Sequence, residues 1–376
     1  MSANAKSAAR KLRFKLQRVP MLVTIVLFVL MFGGGTYAYD FSAQVFLNLF
    51  IDNAFLMVVA VGMTFVILSG GIDLSVGSVI ALTTMISAVL LEHHHWSPFA
   101  VIPLVLVLGA AFGALMGAVI HYFRLQAFIV TLAGMFLARG LCYLLSIDTI
   151  TITDPLYTAI SQNRIELWGE LFISWNVIIA LAVIALAVFV AHYTSFGRNV
   201  YAMGGNERSA LLMGLPVART RVLVYTLSGF CSALAGVIFT FYMLSGYGLH
   251  AQGMELDAIA AVVIGGTLLS GGSGYMIGTL FGVLILGLIQ TMITFDGSLS
   301  AWWTKIAIGI LLCVFCVLQR VIEHHASADK RGGGKASGKI DKAKAVSERN
   351  VQYVAATSHA APMSSPVFAT PQGNRA

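Results

Sequence analysis

Charged residues are scarce in this chain: Asp, Glu, Lys and Arg together make up 10% of its 376 residues, where a soluble globular domain carries about 25%. That scarcity excludes water as the solvent for most of the chain. Cysteine is scarcer still. The four residues Cys142, Cys231, Cys313 and Cys316 all lie in apolar runs, where a thiol packs as a small hydrophobe, so no disulfide framework is implied. Cys313 and Cys316 spell C-x-x-C but lack the βαβ surroundings that would make it a redox motif. Hydrolytic signatures are missing too: there is no H-E-x-x-H, no G-x-S-x-G and no His–Asp pair within an apolar run, which excludes the usual intramembrane hydrolases. The nearest approach to a nucleotide motif is Gly333 to Ile340, G-x-x-x-x-G-K-I. It lacks the Ser or Thr that holds Mg²⁺ and has no strand before it, so the chain carries no ATPase and no cofactor of its own. His93, His94 and His95 are consecutive and therefore point in different directions, which is no zinc pattern.

What the chain has in abundance is hydrophobic residues, 58% of the total, in runs that match the roughly 20 residues needed to cross a bilayer. The fold expected is all-α, a polytopic transmembrane bundle of about ten spans near 20–39, 48–68, 76–91, 99–120, 126–145, 173–192, 222–243, 257–269, 275–294 and 303–319. The first run follows a basic stretch, as in a signal peptide, but Met21 to Tyr39 exceeds a 7–15-residue signal core and reads as a retained span. With both termini inside, 20 of the 23 Lys and Arg residues fall on inner segments, as the positive-inside rule requires. The basic ends, 1–19 at +6 and 320–376 at +5, flank a middle of net charge −4. Such flanks suit anionic membrane lipid and require no nucleic acid. Residues 320–376, rich in Gly, Ala, Ser and Lys, are expected to be largely disordered.

Two segments repeat at an offset of 201: LSGGIDLSVGSVIAL from Leu68 and LSGGSGYMIGTLFGV from Leu269. An apolar helix broken by Ser-Gly-Gly is tolerated in a membrane only where protein or a cavity surrounds the break. Paired breaks of this kind point to an internal, here parallel, repeat and to a translocation path. Recurrent small residues at close helix contacts are the plainer account. Path candidates are Ser69, Gly70, Gly71, Asp73 and Ser75, then Ser270, Gly271 and Gly272, with Asn53 above the first break. Asp73 is either a helix cap or a path residue, since intramembrane acids are costly and otherwise unexplained. Arg139 falls within a span and must find a carboxylate, carbonyls or water. Asp52, Glu255 and Asp257 stand at the outer ends of the spans leading to the breaks, as caps or as a polar outer mouth for a docking partner. Trp168, Trp175, Trp302 and Trp303 fit an interfacial aromatic belt.

The longest inner loop, Phe196 to Val217, reads FGRNVYAMGGNERSALLMGLPV. Gly204 and Gly205 break it, Asn206 can cap, and the residues to Leu215 can form a short helix with Ala210, Leu211 and Gly214 turned outward, fit for a cleft on another protein.

LSGGIDLSVGS, GRNVYAMGGN with its following A-x-x-x-G, and ELDAIAAVVIGGTLLSGGSGYMIGTLFG together resemble the permeases of ribose-type sugar ABC importers over residues 45 to 320. Within that family, DNAFLMVVAVGMTFVILSGGIDLSVGS and SLSAWWTKIAIGILL are similar to the shorter permeases of galactofuranose importers. The resemblance implies a non-enzymatic permease of the bacterial inner membrane. It implies a cytoplasmic ATPase that binds ATP, a periplasmic sugar-binding protein, and a second permease, related or identical. It also makes the inner loop the ATPase-coupling segment, with Gly197, Arg198, Asn199, Gly204, Gly205, Asn206, Ala210 and Gly214 in the matching positions. The alternative, an ion-coupled secondary transporter of a small polar solute, needs membrane-embedded acids, of which Asp73 is the single candidate.

Overall fold

A hydrocarbon core offers no water to backbone N–H and C=O groups, so a chain this apolar must satisfy them within helices. The computed structural model describes residues 3–169, 171–298, 300 and 302–321, with 3–20, 167 and 168 described by backbone alone. The expected tail beyond Val321, and the near-motif of 333–340 within it, lie outside the described residues. In chain order the helices are α1 (Ala3–Tyr39), α2 (Ala43–Asp52), α3 (Ala54–Leu68), α4 (Val76–Ala88, continued by a π turn to His93), α5 (Pro98–Tyr122), α6 (Ala127–Leu145), α7 (Pro155–Gln162), α8 (Trp175–Tyr193), α9 (Ser195–Gly205), α10 (Glu207–Leu212), α11 (Val217–Met243), α12 (Met254–Ile264), α13 (Met276–Asp296) and α14 (Trp302–Val321). Two short antiparallel pairs complete the described residues. β1 (Ile150–Thr151) pairs with β4 (Ser245–Gly246), and β2 (Arg164–Trp168) with β3 (Leu171–Ser174).

Eight of these helices are long and apolar enough to cross a membrane, and α2 with α3, bent by 56° at Asn53, makes a ninth. The remaining expected span, 257–269, is instead the eleven-residue α12, only about 16 Å long at 1.5 Å per residue. Its end is built by Gly265 and Gly266. Gly266 takes φ +90, its N–H donates to Val263 O and that of Thr267 to Val262 O, the left-handed glycine motif that closes a helix.

Burial separates an inner set from an outer set. About two thirds of the apolar stretch of α4 and of α11 is buried within the chain, against 17% for α1 and 11% for α14. The long helix α11 is the axis, packing on α5, α3 and α4. Without a hydrophobic force between helices in lipid, such contacts depend on close backbone approach. On α5 the spacing Gly109, Gly113, Gly117 provides it: a Cβ on Gly113 would run into the Tyr225 carbonyl and lie 3.1 Å from Gly229 Cα. Gly113→Leu is therefore expected to cost about 3 kcal/mol or more, read as a lowered melting temperature in detergent. Gly140→Leu, on the exposed face of α6 with nothing within 4 Å of its Cβ, should melt like the unmodified protein.

Several polar side chains of the inner set bond locally or across helices, whereas Ser78 Oγ and Ser87 Oγ of α4 are buried with no hydrogen-bond partner. Thr83 Oγ1 donates to Val79 O at 2.8 Å, and Thr64 and Thr279 share a hydrogen bond of 2.9 Å that ties α3 to α13.

Candidate functional site

Both Ser-Gly-Gly breaks lie at the end of the bundle that carries α9 and α10, and they lie against each other. The first follows α3. Gly70 takes φ +82, its N–H donates to Ile67 O and that of Gly71 to Val66 O, so the Ser-Gly-Gly itself terminates the helix. Ser69 turns its hydroxyl back to Val66 O at 2.7 Å. The second break differs from the expected copy, because α12 has already ended at Gly265–Gly266 before Ser270 is reached. Gly271 repeats the left-handed φ, +83, and its N–H again donates three residues back, to Leu268 O. The next N–H, that of Gly272, has no helix carbonyl of its own to reach. It donates instead to Leu68 O at 2.9 Å, one of the carbonyls that the C-terminus of α3 leaves without an intrahelical partner. The two breaks are thus joined through backbone, and a Cβ on Gly70 would lie 3.9 Å from Ser270 O.

Gly204 and Gly205, at the end of α9, seat against this joint. A Cβ on Gly204 would overlap the Leu68 carbonyl oxygen and lie 2.6 Å from Gly272 N, while one on Gly272 would lie 2.6 Å from Gly205 Cα. Tyr201, one turn earlier on α9, donates its hydroxyl to Gly274 O at 2.9 Å. Burial pushes the Tyr201 phenol up to about 12, so it remains a donor at any physiological pH. Three glycine pairs far apart in sequence therefore form one contact.

The loop is held by its own caps and a small core. Thr194 Oγ1 accepts from Gly197 N, and Asn206 Oδ1 accepts from Ser209 N at 2.9 Å, each satisfying a free amide at a helix start. Glu207 pairs with Arg221 at 2.7 Å, linking α10 to α11. The short helix expected after Asn206 is α10, and of the three residues expected to turn outward Leu211 and Gly214 are exposed. Ala210 is instead fully buried with Met203 and Val217, and Leu212 (90% exposed) and Met213 stand outside beside Leu211. The reason is the tight return to α11: Gly214, at φ +74, and Leu215, whose N–H donates to Ala210 O, fold the chain over that alanine. Gly197 is buried against the end of α8, where a Cβ would meet Val190 O at 2.5 Å; Arg198 is exposed and Asn199 half-buried.

Asp73, 2% exposed, lies in the extended link from the first break to α4. Its Oδ1 accepts from Ser75 N at 3.0 Å and Ser75 Oγ at 2.6 Å, and its Oδ2 accepts from Ser228 Oγ at 2.7 Å. Tyr225 donates to the neighbouring Ile72 O at 3.3 Å. The carboxylate thus orders the start of α4 and fastens the link to α11.

The remaining candidates lie away from this joint. Asn53, expected near the outer end of its span, sits at the α2–α3 bend over Gly287, with Nδ2 donating to Leu49 O at 2.9 Å. Asp52 closes α2 rather than opening a helix and accepts from Tyr242 at 3.3 Å. Glu255 and Asp257 occupy the first turn of α12, where acids are favoured by the helix dipole. Asp257 pairs with Lys305 at 2.7 Å, and Glu255 Oε2 is buried without a hydrogen-bond partner beside Gly77. Arg139 finds backbone carbonyls, those of Gly248 at 2.7 Å and His250 at 2.8 Å, and so anchors the segment between β4 and α12. Trp175, Trp302 and Trp303 are exposed.

Sequence reasoning missed Tyr201, Tyr225 and Ser228, the three side chains that fasten the breaks. The pairing of Gly204 and Gly205 with two other Gly-Gly steps was the available signal, because paired glycines mark close backbone approach.

Residues 45–316 match the family described as the branched-chain amino acid transport system permease component. The chain is 52% identical over 309 residues to the inner membrane ABC transporter permease protein YjfF of Escherichia coli K12, covering 81% of this chain and 92% of that protein. It is 40% identical over 331 residues to the fructose import permease protein FruG of Bifidobacterium longum, covering 85% and 96%. Against the ribose import permease protein RbsC of Haemophilus influenzae it is 40% identical over 282 residues, covering 73% and 84%. No solved structure matches it significantly.

Proposed function

Since this chain belongs to the family of ABC-importer permease components, we propose that it forms, beside a second permease subunit, the path by which galactofuranose or a similar monosaccharide crosses the inner membrane. It is a multi-pass permease subunit of an ABC sugar importer and not an enzyme. The end bearing α9 and α10 faces the cytoplasm in this reading, in keeping with the 20 of 23 basic residues on the inner segments. The exposed Leu211, Leu212 and Met213 then dock in a cleft of the ATPase, which binds the ATP, and a periplasmic sugar-binding protein engages the opposite end near Asp52, Glu255 and Asp257. The observation that carries the reading is the seating of one loop on both helix breaks: displacement of α9 changes its contact with each of them. Such a linkage converts closure of an ATPase pair into opening and closing of the path.

The test is sugar uptake into proteoliposomes holding this chain, its partner permease and ATPase, with binding protein outside. Uptake of galactofuranose that requires ATP supports the proposal; uptake that persists without ATP and collapses with an ionophore favours an ion-coupled transporter built on Asp73. Leu212→Glu, at an almost fully exposed position, should leave the melting temperature within about 1 °C, as surface changes usually do, and abolish ATPase stimulation. Undiminished stimulation would move the docking surface elsewhere.

A further inference from the structure

Gly204 seats on both breaks, but their side-chain ties run to different neighbours. The first is fastened to α11, through Tyr225 to Ile72 O at 3.3 Å and Ser228 to Asp73 at 2.7 Å. The second is fastened to α8 and α9. Tyr201 donates to Gly274 O at 2.9 Å, the Tyr275 ring stacks on His192 of α8 at 6.0 Å, and His192 lies 6.3 Å from the Tyr201 ring. Between the breaks runs the hydrogen bond from Gly272 N to Leu68 O. We propose that Tyr201 is a positioning residue for transport: it makes residues 268–275 travel with the α9–α10 loop while residues 69–75 stay with α11, so that loop displacement opens the Gly272–Leu68 seam. The seam is then the gate of the path at the loop end. A gate there needs no large rearrangement, since the bond that parts is backbone on both sides, the Gly272 amide and the Leu68 carbonyl.

The inference rests on the reading of the chain as an ABC importer permease, and the experiment separates the two. Tyr201→Phe keeps the ring and removes the hydroxyl. In the reconstituted importer, sugar transported per ATP hydrolysed is expected to fall several-fold while ATP hydrolysis persists. Hydrogen exchange of peptides covering 268–275 is expected to quicken by about tenfold, the effect of losing one hydrogen bond, with 66–73 unchanged. An unaltered sugar-to-ATP ratio overturns the proposal. So does a parallel loss of hydrolysis and transport, which marks a merely structural tyrosine. If the unmodified importer shows no ATP-driven uptake, the proposed function fails and exchange alone decides: faster exchange confined to 268–275 sustains the tether, and unchanged exchange removes it.

Discussion

Gly204→Ala is expected to abolish uptake and to destabilise the protein by about 3 kcal/mol, the upper range for an overpacked site, while Gly205→Ala leaves both close to wild type. The added methyl at 204 meets backbone on two sides, the Leu68 carbonyl and Gly272 N. Neither can turn aside as a flexible side chain would. The wedge therefore has to separate α9 from the breaks, or the breaks from each other, and either movement disconnects the loop from the path. At 205 a Cβ has nothing within 4 Å, and alanine in a helical position is favoured over glycine by up to about 1 kcal/mol. Thermal unfolding in detergent and uptake into vesicles read the two effects separately. A Gly204→Ala protein that melts and transports normally would mean that the seat does not form in the membrane.

Asp73→Ala is expected to cost about 3 kcal/mol, and Asp73→Asn about 1 kcal/mol, because a buried donor stripped of its acceptor costs more than a hydrogen bond made in a weaker form. Alanine strands the Ser75 amide and releases the Ser75 and Ser228 hydroxyls, the three donors that the carboxylate now receives. Asparagine keeps one carbonyl oxygen for Ser75, and its amide can donate to the Ser228 hydroxyl, which accepts as readily as it donates. The order Ala worse than Asn, measured as denaturation midpoints, is the signature of a fastening role. Equal losses would instead assign the importance of Asp73 to its charge, as an ion-coupled carrier requires.

These two positions also show how unevenly the site could be read in advance. Asp73 stood out because an acid in an apolar run is costly wherever it lies, and of its two expected roles, helix cap or path residue, neither named a partner on another helix. Its partner Ser228 is 155 residues away, and serine in a membrane helix carries no such signal. Ala210 misled for a related reason: a small residue on a six-residue helix suits either an exposed cleft contact or a buried return, and the turn at Gly214 decided for burial. The second break was read as a copy of the first from a shared motif. The glycines at 265 and 266 end the preceding helix earlier, so the same Ser-Gly-Gly is left to bond across rather than backward.

The sequence by itself determined that this chain is a helical membrane protein, where most of its spans run and that its backbone breaks at the first Ser-Gly-Gly. Those properties are local: a run of about 20 apolar residues closes its own hydrogen bonds, and a glycine that takes a left-handed φ, as Gly70 does, ends it. Only the tertiary structure decided that Gly70, Gly204 and Gly272 meet and that one break leans on α11 and the other on α8 and α9. It alone decided that Ala210 is covered and that Leu212 and Met213 stand outside beside Leu211. Contacts between such distant segments follow from which helix faces approach most closely, and in lipid that is settled by backbone fit across the whole bundle.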